Sequence, residues 1–396
     1  MSGSTTKDFF NEQNSKSHVK SKIVVSFFET YFSIINNTDF SKNGIYYIDL
    51  FSGPGIYKNG DISTPMQILN TIDKFSKDDA VNKLKLVFND ENTEFAKALK
   101  TNITNHPVYS RLKTKPVVLN KKTSNVDLSI YTQYGCPIFS FIDPWGYKDV
   151  SFSQIHNLVR PIGSDCILFF NVNRILQDIN KPSSNIHMNE LFGKELPNAL
   201  DVAKDPLLSQ KQKGESFVKL FSRNLYDMYF TTFKNLNHSL FVLPFAFRQD
   251  NANKTSHYIV FITKNYKAIT EMKKIMVANS NSNTTVLAYD EKDEYTISFF
   301  NRYDNIYLEV KNLIIDMLSN NKKLLRTTKN INGWAEYIDR YSMSKNSIIT
   351  PYTLNEIKNV IKSLDKKGYI TIYSEVKRTR ITNTSLFSFN SELIGE

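Results

Sequence analysis

Five short, almost unbroken apolar runs, most of them followed by a stretch with helical spacing, limit this 396-residue chain to very few folds. The runs are Tyr46 to Leu50, Lys83 to Asp90, Pro116 to Asn120, Cys136 to Asp143 and Asp165 to Val172. A strand that is apolar all round must be covered on both faces, and strands joined through helices run parallel. Helical spacing occupies Pro65 to Phe75, Asn92 to Ile103, Val126 to Tyr134 and Phe152 to Val159. A further helix, with Val19, Ile23, Phe27 and Tyr31 on one face, precedes the first strand. Ser239 to Phe247 and His257 to Ile262 have only a polar loop between them, which predicts an antiparallel hairpin. The expected fold is α/β: a Rossmann-like, mostly parallel sheet of seven strands that ends in the antiparallel pair.

Residues 1–43 read as a helical lead-in, 44–290 as the sheet domain and 291–396 as a second domain of α+β type. Within the sheet domain, 176–213 is polar and carries Pro182, Pro197 and Pro206, which marks an insertion over the carboxyl edge. The long helix Gly214 to Phe233 follows it, and Tyr266 to Val277 forms one more before the Ser/Asn/Thr-rich boundary at Asn279 to Thr285. Beyond the boundary, Asn305 to Leu318 and Asn332 to Tyr341 are helical in pattern, and Trp334 is expected to pack between helices. Thr353-Leu354-Asn355-Glu356 is a capping-box signature ahead of Ile357, Val360, Ile361 and Leu364 on one helical face. Tyr369 to Tyr373 and Thr384 to Phe389 then read as strands flanking Lys377-Arg378-Thr379-Arg380, a winged-helix-like outline.

From Lys322 to Arg380, thirteen Lys and Arg stand against five Asp and Glu, a local excess of +8 in a chain whose net charge is +11. A polyanion, DNA or RNA, is the expected partner there, with Lys377, Arg378 and Arg380 as contacts. The two cysteines, Cys136 and Cys166, fall inside apolar runs, and no Cys/His cluster has metal-ligand spacing. Disulfides and a metal are therefore not expected. With a polar start and no apolar stretch of membrane-spanning length, the sequence reads as a cytoplasmic protein without a membrane partner.

The chemistry is placed by acids at strand ends. The first strand ends in Asp49 and breaks through Phe51 into Gly53-Pro54-Gly55, where the backbone can turn and approach a ligand closely. Asp90, with Glu91 beside it, ends the second strand, where such folds bond the hydroxyls of a ribose. Gly60 comes too late for a dinucleotide fingerprint, so a nucleoside ligand without a pyrophosphate suits the turn better. S-adenosyl-L-methionine (SAM) is the expected cofactor, its amino acid end at the Gly53 to Gly55 turn.

Asp143, Pro144, Trp145, Gly146 and Tyr147 end the fourth run. They resemble the Asp-Pro-Pro-Tyr signature of methyltransferases that act on amino groups of nucleobases, with Trp145 in place of the second proline and Gly146 ahead of the tyrosine. In those enzymes the acid and the proline carbonyl accept hydrogen bonds from the target amine and the aromatic residue stacks on its ring. The resemblance makes Asp143, Pro144, Trp145 and Tyr147 the expected catalytic set. Asn171, Asn173 and Arg174 line the acceptor pocket or, for Arg174, simply face solvent. His257 is expected to be structural. His18 and Lys20 are placed to close over the ligand.

The sequence is also similar to the three-Cys-motif partner proteins, known as TcmP. The similarity is carried by Tyr47 through Gly55, Ser63-Thr64-Pro65, Phe141 through Lys148, Phe169-Phe170-Asn171 with Asn173-Arg174, and Ser256-His257-Tyr258 leading into Met272 through Met276. It covers about the first 290 residues. This resemblance implies a methyltransferase-like protein that works with a partner carrying a three-cysteine motif of radical-SAM type, whose cysteines this chain does not supply. Two function classes follow: a SAM-dependent methyltransferase acting on a nucleobase or nucleotide-like amine, or a noncatalytic nucleic-acid or protein-binding subunit built on the same scaffold.

Overall fold

The computed structural model describes residues 15–232, 240–249, 252–282, 284–291, 302–320, 328–373, 381–382 and 384–389. Its main sheet contains β1 (Ile45–Asp49), β2 (Leu84–Asn89), β3 (Val117–Leu119), β4 (Ile138–Ile142), β5 (Asp165–Phe170), β6 (Phe241–Gln249), β7 (Lys254–Thr263) and β8 (Ala288–Asp290). Their order across the sheet is β3-β2-β1-β4-β5-β7-β6-β8, with β7 antiparallel to both β5 and β6. The first seven positions, with a reversed final hairpin, are the arrangement of the Rossmann-like methyltransferase fold. The eighth strand pairs parallel to β6 at the edge. Only three residues long and just beyond the Ser/Asn/Thr-rich boundary, it has too little pattern to show in the sequence.

The two faces of the sheet carry separate cores, because alternate residues of each strand point to opposite sides. On one face Tyr47, Phe88, Phe139 and Phe261 pack under α1 (Ser15–Ile35), α2 (Thr64–Asp73) and α3 (Thr93–Thr104). On the other, Ile48, Val87, Ile138 and Leu168 pack under α4 (Phe152–Val159), with α5 (Val172–Asp178), α6 (Asn185–Phe192), α7 (Leu196–Lys204) and α8 (Gln210–Thr232). Helix α1 is more than a lead-in. Its Phe27 ring lies 5.3 Å from Phe139 and 4.7 Å from Phe261, and Phe28 lies 5.5 Å from Tyr47. Removing α1 would expose a large part of one core.

The segment read as a polar insertion is mainly helical. Met188, Leu191, Phe192 and Ala199 of α6 and α7 are buried against α8, so its apolar residues are too few per turn to stand out yet enough to dock. Conversely, of Val126 to Tyr134 only the single turn Ser129–Thr132 is α-helical, after a 3-10 turn at Thr123–Asn125.

Helix α9 (Tyr266–Asn279) returns to the first face. The C-terminal unit has its own core and follows the order α10 (Arg302–Asn320), β9 (Lys329–Asn330), α11 (Ile331–Asn346), α12 (Leu354–Lys366), β10 (Ile370–Tyr373), β11 (Leu386–Phe389). Its three strands lie in the order β10-β11-β9. Trp334 is fully buried, its indole N–H donating to the Phe387 carbonyl at 3.2 Å and its ring 4.6 Å from Phe389.

A buried ionic node ties this unit to the sheet domain. Asp339 of α11 accepts from Lys273 Nζ at 2.6 Å and from the Tyr266 hydroxyl at 2.7 Å, both on α9, through Oδ2. Its Oδ1 accepts from the Thr350 N–H at 3.1 Å and from the Thr350 hydroxyl. Lys273 is 2% exposed and Asp339 fully buried, so neither charge has water to fall back on. Burial pulls the Lys273 ammonium below its ordinary range, and the Asp339 charge opposes this. Asp339→Ala should therefore leave an unpaired buried lysine and lower stability by about 3–5 kcal/mol in chemical denaturation. A loss under about 1 kcal/mol, the range of surface pairs, would show that the node is hydrated.

Candidate functional site

The carboxyl ends of β1, β2 and β4 bring Asp49, Asp90 and Asp143 to one edge of the sheet. Asp49 is 1% exposed. Its Oδ1 accepts the Phe51 N–H at 3.1 Å, while its Oδ2 is buried with no hydrogen-bond partner. Burial, reinforced by the charges of Asp143 and Asp90 and opposed by the Phe51 N–H and the Ser52 hydroxyl, pushes this carboxyl up to about 8. Tyr47, two residues earlier on the same face, also buries its hydroxyl without meeting hydrogen-bond geometry, yet lies close enough for the Asp49 charge to raise it further. A buried carboxyl oxygen without a donor is costly unless something cationic or protic completes it.

The turn after Asp49 is clamped from both neighbours. Gly53 and Gly55 have φ of 63° and 86°, in the region that side chains disfavour. The Gly53 N–H donates to Asp90 Oδ2 at 2.9 Å, and Asn102 Nδ2 of α3 donates to the Pro54 carbonyl at 3.0 Å. A Cβ on Gly55 would sit 2.9 Å from Leu99 Cδ1 of the same helix. Asn89, fully buried at the end of β2, donates to the carbonyls of Leu50 and Lys121 at 3.1 and 3.0 Å and so stitches three strand ends together.

Asp90 is bonded through both oxygens, the second accepting the Asn92 N–H at 2.8 Å. Partial burial raises its carboxyl, and these two N–H groups hold the rise in check. The cap of α3 is Asn92, which accepts from the N–H groups of Glu94 and Phe95, so Asp90 is not spent as a helix cap. Glu91 is exposed and Phe51 half-buried.

On the acceptor side, Asp143 is paired with Lys20 Nζ of α1, a lysine only 8% exposed. The same ammonium lies 4.8 Å from the Phe169 ring centroid. Phe169 in turn packs 4.5 Å from His257, which is stacked at 4.5 Å on Phe247. Burial, with the charges of Lys20 and Lys16, holds His257 well below the ordinary histidine range, so it is a neutral packing group. His18 is exposed.

Pro144 is buried, Trp145 is 41% exposed, and Tyr147 is buried with its hydroxyl donating to Asp178 at 2.9 Å and accepting from the Ser184 hydroxyl at 3.0 Å. The tyrosine thus anchors the loop to the helical insertion, and Trp145 is the more exposed ring of the motif. Asn171 Nδ2 donates to the Trp145 carbonyl at 3.4 Å, Asn173 accepts from Gln210, and Arg174 is exposed. An apolar crevice lies beside the loop, between Pro144, Tyr147, Phe170, Asn171, Leu191 and Phe221. Lys377, Arg378 and Arg380 lie outside the described residues.

Two residues not among the expected site residues join the site. Tyr57 sits on the short ribbon Ile56 to Ile62, closed by its N–H donating to the Asp61 carbonyl at 2.8 Å. Burial and the charges of Asp143 and Asp49 raise its hydroxyl to about 12, which places it near both acids. Ser63, at the start of α2, buries an Oγ that has no partner. Among the described residues no group of three His, Cys, Asp or Glu could hold a metal, and no helix is long and apolar enough to cross a membrane.

No protein-family model matches the sequence, and no curated protein matches it. Among solved structures, the chain is similar to protein LPL1258 from Legionella pneumophila, at 11% identity over 67% of this chain and 92% of that one, with a TM-score of 0.39. It is also similar to Trm1 from Pyrococcus horikoshii, solved with S-adenosyl-L-methionine, at 10% identity over 98% and 95% with a TM-score of 0.35. The methyltransferase domain of a bacterial Hen1 gives 10%, 60%, 98% and 0.29. At such scores these likenesses carry no argument, and the fold assignment rests on the strand order itself.

Gly55→Ala tests the clamp. The combined φ strain and the contact with Leu99 should lower stability by about 1–3 kcal/mol, read as a drop in Tm. An unchanged Tm would mean that the turn is free to rearrange.

Proposed function

We propose that this chain is a SAM-dependent methyltransferase acting on an amino group of a nucleobase or nucleotide-like substrate. The observation that carries the reading is the buried Oδ2 of Asp49, without a partner in good hydrogen-bond geometry, at the switch point of a methyltransferase-type sheet. SAM fits the residues present: it carries an ammonium and a sulfonium, and the edge it would occupy gathers three carboxylates and a glycine turn. Asp49 would take the ammonium. Asp90 would take the ribose hydroxyls, since each carboxylate oxygen that already accepts an N–H has a second lone pair. When bound, the cofactor supplies an electrophilic methyl group.

The chain's part in the reaction is to position the amine. The Asp143 carboxylate and the Pro144 carbonyl would accept the acceptor's N–H groups, aiming the nitrogen lone pair, and Trp145 offers an exposed ring for stacking. Lys20 competes with the acceptor for Asp143, so its release is part of acceptor binding. The C-terminal order of helix, strand, two helices and two strands supports the winged-helix-like expectation and a nucleic-acid substrate. The three-cysteine-motif partner implied by the sequence resemblance stays part of this proposal. Both cysteines of this chain are free thiols buried in its cores, so a cluster would be the partner's.

The noncatalytic reading is favoured by one observation, that Asp143 is already neutralised by Lys20. The two readings separate on Asp143→Ala, which should abolish methyl transfer to nucleic acid while leaving SAM affinity within about twofold. Wild-type protein that binds SAM yet transfers no methyl to any nucleic acid, alone or with the partner, supports the subunit instead.

Asp49 gives a signed pH test. A carboxyl raised from 3.8 to about 8 is mostly protonated at neutral pH in the free protein, and a bound cation favours its ionised form. SAM binding should therefore release a proton and tighten as pH rises from about 6 to about 8, which calorimetry in buffers of different ionisation enthalpy will read. The same shift lowers folding stability as pH rises from about 4 through about 8, because the unfolded chain loses that proton first. Asp49→Asn should thus be the more stable apo protein at pH 8 and bind SAM roughly 10- to 100-fold more weakly, the range of a charge-assisted bond. Equal SAM affinity in the two proteins would remove Asp49 from the cofactor site.

A further inference from the structure

The solvent face of α12 has a composition that neither core packing nor the cofactor cleft accounts for. Ile357, Val360, Ile361 and Leu364 bury one side of the helix in the C-terminal core. On the other side stand Asn355, Lys358, Asn359, Lys362 and Lys366, four of them exposed and Lys358 partly so. At about 100° per residue these five side chains share an arc of roughly 100°.

No acid shares that arc. Glu356 lies to one side and is turned back into the capping box, its Oε2 accepting the Thr353 N–H at 2.7 Å. Asp365 borders the other side. A merely solvated helix face mixes both signs, since alternating Glu and Lys pairs add stability, whereas three lysines one turn apart repel each other. The capping box and the buried side fix the helix from within its own unit, leaving the basic side outward.

We propose that this face of α12 is a DNA-reading surface that lies in the major groove of a duplex. In its unit α12 is the last helix of a helix, strand, helix, helix, strand, strand order, with the strands β10, β11 and β9 in one sheet beside it. A helix of 13 residues is about 20 Å long, and the major groove of B-form DNA, about 12 Å wide, admits one. Lys358, Lys362 and Lys366 neutralise phosphates along the groove walls, and Asn355 and Asn359 face base edges, where an amide matches the donor and acceptor pair of adenine. The deep, narrow major groove of A-form RNA does not accept a helix, so the partner is duplex DNA. The surface deepens the proposed function by naming its acceptor polymer, and it rests on that reading only for the acceptor's role; DNA binding itself stands apart from the cleft.

The test is fluorescence anisotropy with the full chain, using mixed-sequence 20-base-pair DNA and the same sequence as duplex RNA across a salt series. Wild-type protein should bind the DNA at least tenfold more tightly than the RNA. In the triple variant Lys358→Gln, Lys362→Gln, Lys366→Gln, the slope of log K against log salt should shallow by about 2.7, three phosphates at about 0.9 each. Asn355→Ala with Asn359→Ala should keep the slope and flatten the base preference in a selection from randomised duplexes. No DNA binding by wild type, an unchanged slope in the triple variant, or equal binding of RNA would each overturn the proposal. SAM calorimetry on the triple variant should match wild type, so the cleft and this surface can fail independently.

Discussion

One buried carboxyl sets the terms for the rest of the molecule. Asp49 ends the middle one of the five parallel strands in a sheet covered on both faces, and its Oδ2 has no partner in good hydrogen-bond geometry, with the Tyr47 hydroxyl close by. A side chain placed there for stability alone would be apolar, as Ile45 and Ile48 are elsewhere on β1. Keeping an acid in that position costs free energy in the empty protein, and the rise of its carboxyl to about 8 is that cost expressed as proton affinity. A cation bound at the turn reverses the sign. The protein then gains the charge interaction that the sheet alone withholds.

Rigid neighbours make such a site usable. Asn89 and Asn102 fix the backbone from the side of β2 and α3, while the positive φ of Gly53 and Gly55 lets that backbone pass where side chains would block it. On the opposite flank Tyr147 ties the Asp143 loop to the helical insertion, and Lys20 of α1 reaches the acid itself. The helix ahead of the first strand therefore does two jobs. It seals one core with its aromatic face and delivers a cation to the acceptor side.

The sheet was legible because parallel strands buried on both faces have to be apolar throughout, and the acids that end them interrupt that pattern visibly. Asp49, Asp90 and Asp143 could be singled out for this reason. What escaped was short or depended on contacts. The eighth strand spans three residues, too few for periodicity, and Ala288–Asp290 gains its place from pairing with β6. Tyr57 reaches the site through the path of a loop, which no local pattern encodes, and Ser63, although part of a recognised stretch, gave no sign of its place there. Tyr147 looked like a stacking ring because its neighbours resemble a known signature, yet its hydroxyl bonds Asp178 and Ser184, partners that only the folded insertion brings near.

The state of one proton decides whether this carboxylate is held for a cation. Carbon-detected NMR of the Asp49 carboxyl, titrated in free protein and again with saturating SAM, measures it directly. The expected result is a midpoint near about 8 in the free protein that falls by at least two units with SAM bound, since each unit represents about 1.4 kcal/mol of preference for the ionised form. A midpoint near the ordinary aspartate range in the free protein, or one that SAM leaves in place, would contradict the claim that the fold reserves this carboxylate for a cation.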